Sequence, residues 1–258
     1  MKGLLIRTIS GILIVLLTFL VISKGGTFMS YFVFLLSIIG IREFYTATDN
    51  IRLKPVKGIG YISCILFLFY SLGYKWVSLI YIFIFVIIAL IISFILKKDI
   101  TLMDILVTLF GILYIPFLLQ HIIYLDGTIY IWLVFIIAWG TDTFAYLSGS
   151  LIGKTKLCPK LSPKKTVEGS IGGILGAILL TLIFVKYFGV SPLWKFILLP
   201  LLGSIIAQLG DLNASKIKRL TGIKDFGFIM PGHGGVLDRF DSILFTAPFV
   251  YYFVTFFL

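Results

Sequence analysis

Charge is what this chain lacks. Only 13% of its 258 residues are Asp, Glu, Lys or Arg, and just 11 are acidic. Soluble domains carry about 25% charged residues, so a water-facing surface of ordinary extent is excluded. Cysteine is as scarce. Cys64 sits in an apolar run and Cys158 in a Lys/Pro-rich stretch, which excludes a disulfide framework and zinc spacing. The sequence has no low-complexity segment and no internal repeat of the kind many transporters carry. Lys2 and Arg7 precede an apolar stretch with no small-residue cleavage site, so that stretch reads as a retained span.

What is abundant is apolar surface. The chain is 60% hydrophobic and 16% aromatic, against about 45–50% apolar usage in soluble domains. Strands are a poor solution in lipid because an open sheet leaves backbone groups unpaired. Runs of about 17–25 apolar residues, the length a bilayer demands, occur at 8–23, 27–45, 58–74, 77–96, 102–124, 128–148, 169–187, 193–211 and 236–257. The expected fold is therefore an all-α integral membrane protein, polytopic, with about nine transmembrane helices. It forms a single membrane domain over 1–258, with 1–125 mainly scaffold spans and 126–258 the catalytic half. Short connections make consecutive helices antiparallel neighbours.

Basic residues orient these spans. With alternate loops on alternate sides, all 22 Lys and Arg fall on one side except Lys24, Lys75, Lys186 and Lys195. The positive-inside bias then puts the N-terminus in the cytoplasm and the C-terminus outside. The same bias, with anionic lipid headgroups, accounts for the net charge of +11, so membrane lipids rather than nucleic acid are the expected partner.

The acidic residues divide unevenly. Asp126 falls on the outer side, while Asp142, Glu168, Asp211, Asp225, Asp238 and Asp241 lie at or near the inner ends of the last four spans. Glu43, Asp49, Asp99 and Asp104 are expected in short loops of the scaffold half. Gly169, Gly172, Gly173 and Gly176 open the seventh span as small-xxx-small pairs, which read as helix packing.

The stretch from Gly210 to Asp241 gathers most of the chemistry. If the eighth helix continues past Asp211, Ser215 lies one turn on and Lys218 and Arg219 follow on the same face. A carboxylate, a hydroxyl and a basic pair in a row suit a metal-bound phosphate; basic residues snorkelling to headgroups explain the cations alone. Beyond Lys224 and Asp225, Gly232, His233, Gly234 and Gly235 form a loop whose N–H groups can surround an anion, or a tight turn with a hydrogen-bonded histidine. Asp238 and Asp241 flank Arg239 at the start of the last helix, where they either cap it or bind magnesium.

Upstream, Asp142 lies near the inner end of the sixth span, as a helix-packing polar group or a site acid. The run Ser162 to Gly169 reads as Ser162 at the N-cap and Pro163 at the first helical position, with Lys164 and Lys165 exposed beside them. Lysines at a helix N-terminus oppose its dipole unless an anion joins them, which points to a triphosphate as readily as to positive-inside signalling.

These residues carry a resemblance. Ser215-x-Ile217-Lys218-Arg219, then Lys224-Asp225-x-Gly227, then Pro231-x-His233-Gly234-Gly235-x-x-Asp238-Arg239-x-Asp241 resembles the signature of the CDP-diacylglycerol synthase, or phosphatidate cytidylyltransferase, family. Asp142-x-x-Ala145-Tyr146 and Ser162-Pro163-Lys164-Lys165-Thr166-x-Glu168-Gly169 resemble its other shared segments. Met230 and Val167 depart from the usual residues, each by an apolar exchange.

The resemblance implies transfer of a cytidylyl group from CTP to phosphatidic acid. It also implies Mg2+, with room for a second metal ion, and a homodimer in the cell (inner) membrane with its site facing the cytoplasm. On that basis Asp211, Asp238 and Asp241 are the expected metal ligands. Lys165, Lys218, Arg219 and Lys224 are expected on phosphates, and Asp142 and Glu168 on CTP or metal. Ser215 and His233 are expected to shape the pocket, with Lys164, Asp225, Gly234, Gly235 and Arg239 completing the substrate contacts. The rivals are another CTP-using lipid enzyme, such as an ether-lipid cytidylyltransferase or a polyprenol kinase, and a cation-coupled transporter. Acids clustered at one face rather than at the midplane disfavour the transporter.

Overall fold

The computed structural model describes residues 2–229, 232 and 234–258, with side chains in the first helix from Ile9 onward. Among these residues the regular secondary structure is helical apart from one short hairpin. Six helices come first: α1 (Lys2–Lys24), α2 (Gly26–Asp49), α3 (Lys57–Ser71), α4 (Leu79–Leu96), α5 (Leu102–Ile112) and α6 (Leu118–Tyr124). Then follow α7 (Ile131–Ile152), β1 (Lys156–Cys158), β2 (Ser162–Thr166), α8 (Val167–Tyr187), α9 (Lys195–Leu220) and α10 (Leu237–Phe257).

Seven helical segments among the described residues are long and apolar enough to cross a membrane, with Leu102–Tyr124 acting as one. The expected spans at 8–23 and 58–74 fall on shorter apolar stretches, Ile9–Lys24 and Lys57–Ser71. The architecture is thus that of a polytopic helical membrane protein. Inside Leu102–Tyr124 a π-helical turn, Leu113–Phe117, contains Pro116. Proline has no N–H to offer the preceding turn, and the wider turn absorbs that loss.

The chain divides into two compact units, Met1–Asp126 with Leu220–Arg239, and Gly127–Arg219 with Phe240–Leu258. In the first, Asp104 caps α5 in a reciprocal box with Thr101 and also accepts the N–H of Lys54 at 2.5 Å. Thr108, one turn on, accepts the N–H of Val56 at 2.8 Å. These bonds pin the extended segment before α3. Asp104 and Glu43 were expected in loops; both are instead buried on helices, where backbone N–H groups from other segments satisfy them. Asp49 ends α2 and pairs with Lys57 at 2.6 Å across an exposed surface.

In the second unit α7 and α8 form the most extensive helix pair among the described residues. Small residues make it so: a Cβ on Gly173 would stand 2.8 Å from the Thr141 carbonyl, and one on Gly169 the same distance from that of Ala145. The glycines opening α8 are packing residues, as expected. α9 runs unbroken through Asp211, Ser215, Lys218 and Arg219, which meets the condition set for that face.

The segment between α7 and α8 departs from expectation. Ser162 and Pro163 do not start a helix. They belong to β2, which pairs antiparallel with β1 through Lys156↔Thr166 and Cys158↔Ser162, the register slipping between the two pairs. Proline holds the residue before it in extended conformation. The irregular register accommodates the N–H that Pro163 lacks. The N-cap of α8 is Thr166, whose hydroxyl accepts the N–H of Gly169 at 3.1 Å. Glu168 then accepts the N–H groups of Lys154 and Thr155, both at 3.1 Å, tying the hairpin's entry to the first turn of α8.

Candidate active site

Within the second unit, four elements bring opposite charges together. Asp142 is contributed by α7, Lys165 by β2, Asp211 and Lys218 by α9, and Asp241 by α10. The close approach of α9 and α10 rests on Gly210, where a Cβ would meet the Asp241 carbonyl oxygen at 2.6 Å and Ser242 Cα at 3.3 Å. That contact sets Asp211 beside the first turns of α10. Asp241 is buried, within electrostatic reach of the like charges of Asp211 and Asp142 and of the opposite charge of Lys218.

Ser242 links two of the carboxylates. Its hydroxyl lies 3.2 Å from Asp142 Oδ2 and 3.5 Å from Asp241 Oδ1, and its N–H donates to Asp241 Oδ1 at 2.7 Å. Sequence reasoning missed Ser242; its one signal is adjacency to Asp241. Asp142 was expected near the end of its span but lies mid-helix in α7, at an exposed position.

The hairpin closes over α9. Lys165 forms an ion pair with Asp211, each side chain about a quarter exposed, and Arg219 Nε lies 3.4 Å from the Leu161 carbonyl oxygen. Strand alternation sends consecutive side chains to opposite faces, so Lys164 stays exposed while Lys165 reaches the acid. Ser215 is half-buried on α9 one turn beyond Asp211.

Three carboxylates gathered on helices of a membrane protein are costly unless cations accompany them. Lys165 and Lys218 supply two. Among the described residues, no three His, Cys, Asp or Glu side chains stand as a finished metal-ligand set. That arrangement still fits magnesium, which takes one or two carboxylates and fills its remaining positions with water and substrate phosphates rather than an all-protein cage. The donors are all oxygen, as a hard cation requires.

The remaining predicted residues lie in the first unit or at its edge. Asp238 is buried, and its Oδ2 accepts the N–H groups of Phe226 at 2.7 Å and Gly235 at 2.9 Å. Gly232 and Gly234 have φ of 76° and 84°, the left-handed region expected of this loop. A Cβ on Gly234 would stand 2.7 Å from Asp238 Oδ2 and 3.3 Å from Asp225 Cβ. Lys224 and Arg239 are exposed. His233 lies outside the described residues. The loop was expected to offer its N–H groups to a phosphate. Of that loop, Gly235 gives its N–H to Asp238, and the flanking N–H groups of Phe226, Val236 and Leu237 are taken by Asp238 and Glu43. Glu43 is the functional-region residue that sequence reasoning left in the scaffold.

Known proteins are similar to this sequence over nearly its whole length. Residues 5–257 match the family described as the cytidylyltransferase family. A phosphatidate cytidylyltransferase of Staphylococcus haemolyticus is 34% identical over 251 residues, covering 94% of this chain and 96% of its own. Proteins of the same name from Staphylococcus epidermidis and Staphylococcus aureus are 35% and 33% identical, with the same coverage.

Proposed function

Because the chain belongs to the cytidylyltransferase family, we propose that it transfers CMP from CTP to phosphatidic acid, giving CDP-diacylglycerol and pyrophosphate. The observation that carries this reading is the convergence of Asp142, Asp211 and Asp241 with Lys165 and Lys218 in a chain otherwise poor in charge. An oxygen of the lipid phosphate attacks the α-phosphorus of CTP, and the bond to the pyrophosphate oxygen breaks. The nucleophile is already ionised near neutrality, so no general base is required of the protein. Positioning and charge stabilisation carry such a reaction.

Each group has a proposed task. Asp211 and Asp241 hold Mg2+, with Asp238 added by the family resemblance. When bound, the metal neutralises charge on the triphosphate. Asp142, steadied by the Ser242 hydroxyl, orients Asp241 or contacts CTP. Lys165, Lys218, Arg219 and Lys224 bind phosphates, Lys165 exchanging Asp211 for the incoming triphosphate. Glu168 shapes the site through the hairpin it holds.

The proposed topology has nine spans, with α1 and α3 adding to the seven long segments. The N-terminus lies in the cytoplasm, the C-terminus outside, and the site at the cytoplasmic face of the cell's inner membrane. The distribution of Lys and Arg supports this orientation. A homodimer is the proposed assembly, on the family resemblance alone.

Purified protein with Mg2+, phosphatidic acid and CTP labelled at the α-phosphate tests the reaction. Label should pass to the lipid and none should pass from the γ-phosphate. Lipid labelled from γ would indicate a kinase and overturn the proposal.

A further inference from the structure

Glu43 is a buried carboxylate on α2, only 5% exposed, in a half of the chain with no predicted chemistry. Its two oxygens divide the start of α10 between them, Oε1 accepting the N–H of Val236 and Oε2 that of Leu237, both at 2.9 Å. The loop is shaped around this carboxylate. A Cβ on Gly227 would stand 2.5 Å from Glu43 Oε1, and one on Gly235 would come closer still. One turn back on α2, Gly40 lets Leu237 settle against the helix, where a Cβ would meet Leu237 Cδ2 at 3.2 Å.

Asp238 binds the same segment of backbone. Its Oδ2 joins the N–H of Phe226 to that of Gly235, nine residues later in the chain. Two carboxylates thus take up four backbone N–H groups, those of Phe226, Gly235, Val236 and Leu237, and Glu43 lies within electrostatic reach of Asp238 and of Arg42. A glutamate needed only to cap a helix would not require glycine at two positions of a separate loop.

We propose that Glu43 is a positioning residue for cytidylyl transfer: it fastens the backbone at Val236 and Leu237, where the glycine-rich loop enters α10, to α2, lies against Gly227 on the loop's approach, and thereby fixes the direction in which Asp238 and the first turn of α10 are presented. This rests on the reading of the Gly210–Asp241 stretch as part of the transfer site. Glutamine in place of Glu43 keeps the shape but can accept from only one of the two N–H groups, since its amide nitrogen donates. Outer-shell partners of this kind change activity by about 10- to 100-fold when lost.

The test uses the full chain in nanodiscs. Glu43→Gln should lower kcat by about 10- to 100-fold with KM for CTP changed by less than about threefold. Amide exchange at Val236 and Leu237 should quicken at least about tenfold while α3 to α6 keep their wild-type protection. Glu43→Asp retracts the carboxylate and should lose activity in the same direction. Gly235→Ala added to Glu43→Asp, filling the space released, should be at least about threefold less harmful than Gly235→Ala alone.

Unchanged kcat in both Glu43 variants, or unchanged exchange at Val236 and Leu237, overturns the proposal. So does a loss of kcat that tracks only the amount of folded protein. If the wild-type chain passes no α-label to lipid, the transfer reading fails; unchanged exchange in Glu43→Gln would then dispose of the fastening as well.

Discussion

Lys165 on β2 and Asp211 on α9 are paired, although 45 residues of sequence and the whole of α8 separate them. The pair gives the hairpin a place on α9 and gives Asp211 a cation before any substrate arrives. A metal ion at Asp211 and the Lys165 ammonium therefore compete for one carboxylate. Replacing Lys165 by Met should lower the Mg2+ concentration for half-maximal activity, because the competitor is gone. KM for CTP should rise, because a phosphate contact is lost as well. Hydrogen bonds to charged groups are worth about 1.5–3 kcal/mol, so kcat/KM should fall by about 10- to 150-fold. Titrating Mg2+ and CTP separately in the labelled-lipid assay checks both directions.

Asp241 combines burial with two like-charged neighbours, Asp211 and Asp142. A group retained at such a position is held for function at the expense of stability. Asp241→Asn removes one of three crowded charges and preserves the shape. It should leave the thermal midpoint unchanged or raised, while cytidylyl transfer falls by at least about 100-fold, the loss expected when a metal-binding carboxylate goes. Asp142→Asn, acting through Ser242, should cost about 10- to 100-fold. Differential scanning fluorimetry alongside the activity assay separates the two effects. An Asp241→Asn protein that is both destabilised and fully active would contradict the assignment.

Much of this was legible in the sequence because apolar length and charge placement are direct consequences of lipid as a solvent. The spacing of Asp211, Ser215 and Lys218 allowed α9 to continue through Arg219, but the apolar run that announced the span stops at 211 and did not require it. The hairpin could not be foreseen. Ser162-Pro163 satisfies the local rule for a helix start, and only the partner strand Lys156–Cys158, four residues upstream, decides against it. Glu43 was hidden for a related reason: its partners, Val236 and Leu237, lie 193 and 194 residues away and are backbone groups, which leave no residue-type signal. Ser242 was hidden because its role lies in the Asp142 carboxylate it meets on another helix.

Gly210 carries the contact that puts Asp211 against α10. The neighbour of its missing Cβ is a backbone carbonyl, that of Asp241, at 2.6 Å, which cannot rotate away as a side chain can. Gly210→Ala must therefore push the two helices apart. Overpacking of this kind costs about 1–3 kcal/mol, and the displacement should abolish metal-dependent transfer. Gly58→Ala is the control: it lies in α3 with nothing within 4 Å of the added carbon. Alanine there should be neutral or stabilise by up to about 1 kcal/mol. Comparing thermal midpoints and activities of the two variants isolates contact from helix propensity.

The native cysteines test the proposed orientation without new mutations. Cys158 ends β1, half-buried in the lysine-rich hairpin that the positive-inside rule assigns to the cytoplasm, while Cys64 is buried in α3. A membrane-impermeant maleimide should label Cys158 in inside-out vesicles and leave right-side-out vesicles unlabelled. Cys64 should react in neither until the protein is unfolded. CTP with Mg2+ should slow labelling of Cys158 if the hairpin closes on the triphosphate through Lys165, since both residues belong to the same two-stranded unit. Mass spectrometry of the labelled peptide reads the result directly. Labelling of Cys158 from the outer face alone would invert the topology and remove the site from the compartment where CTP is made available to it.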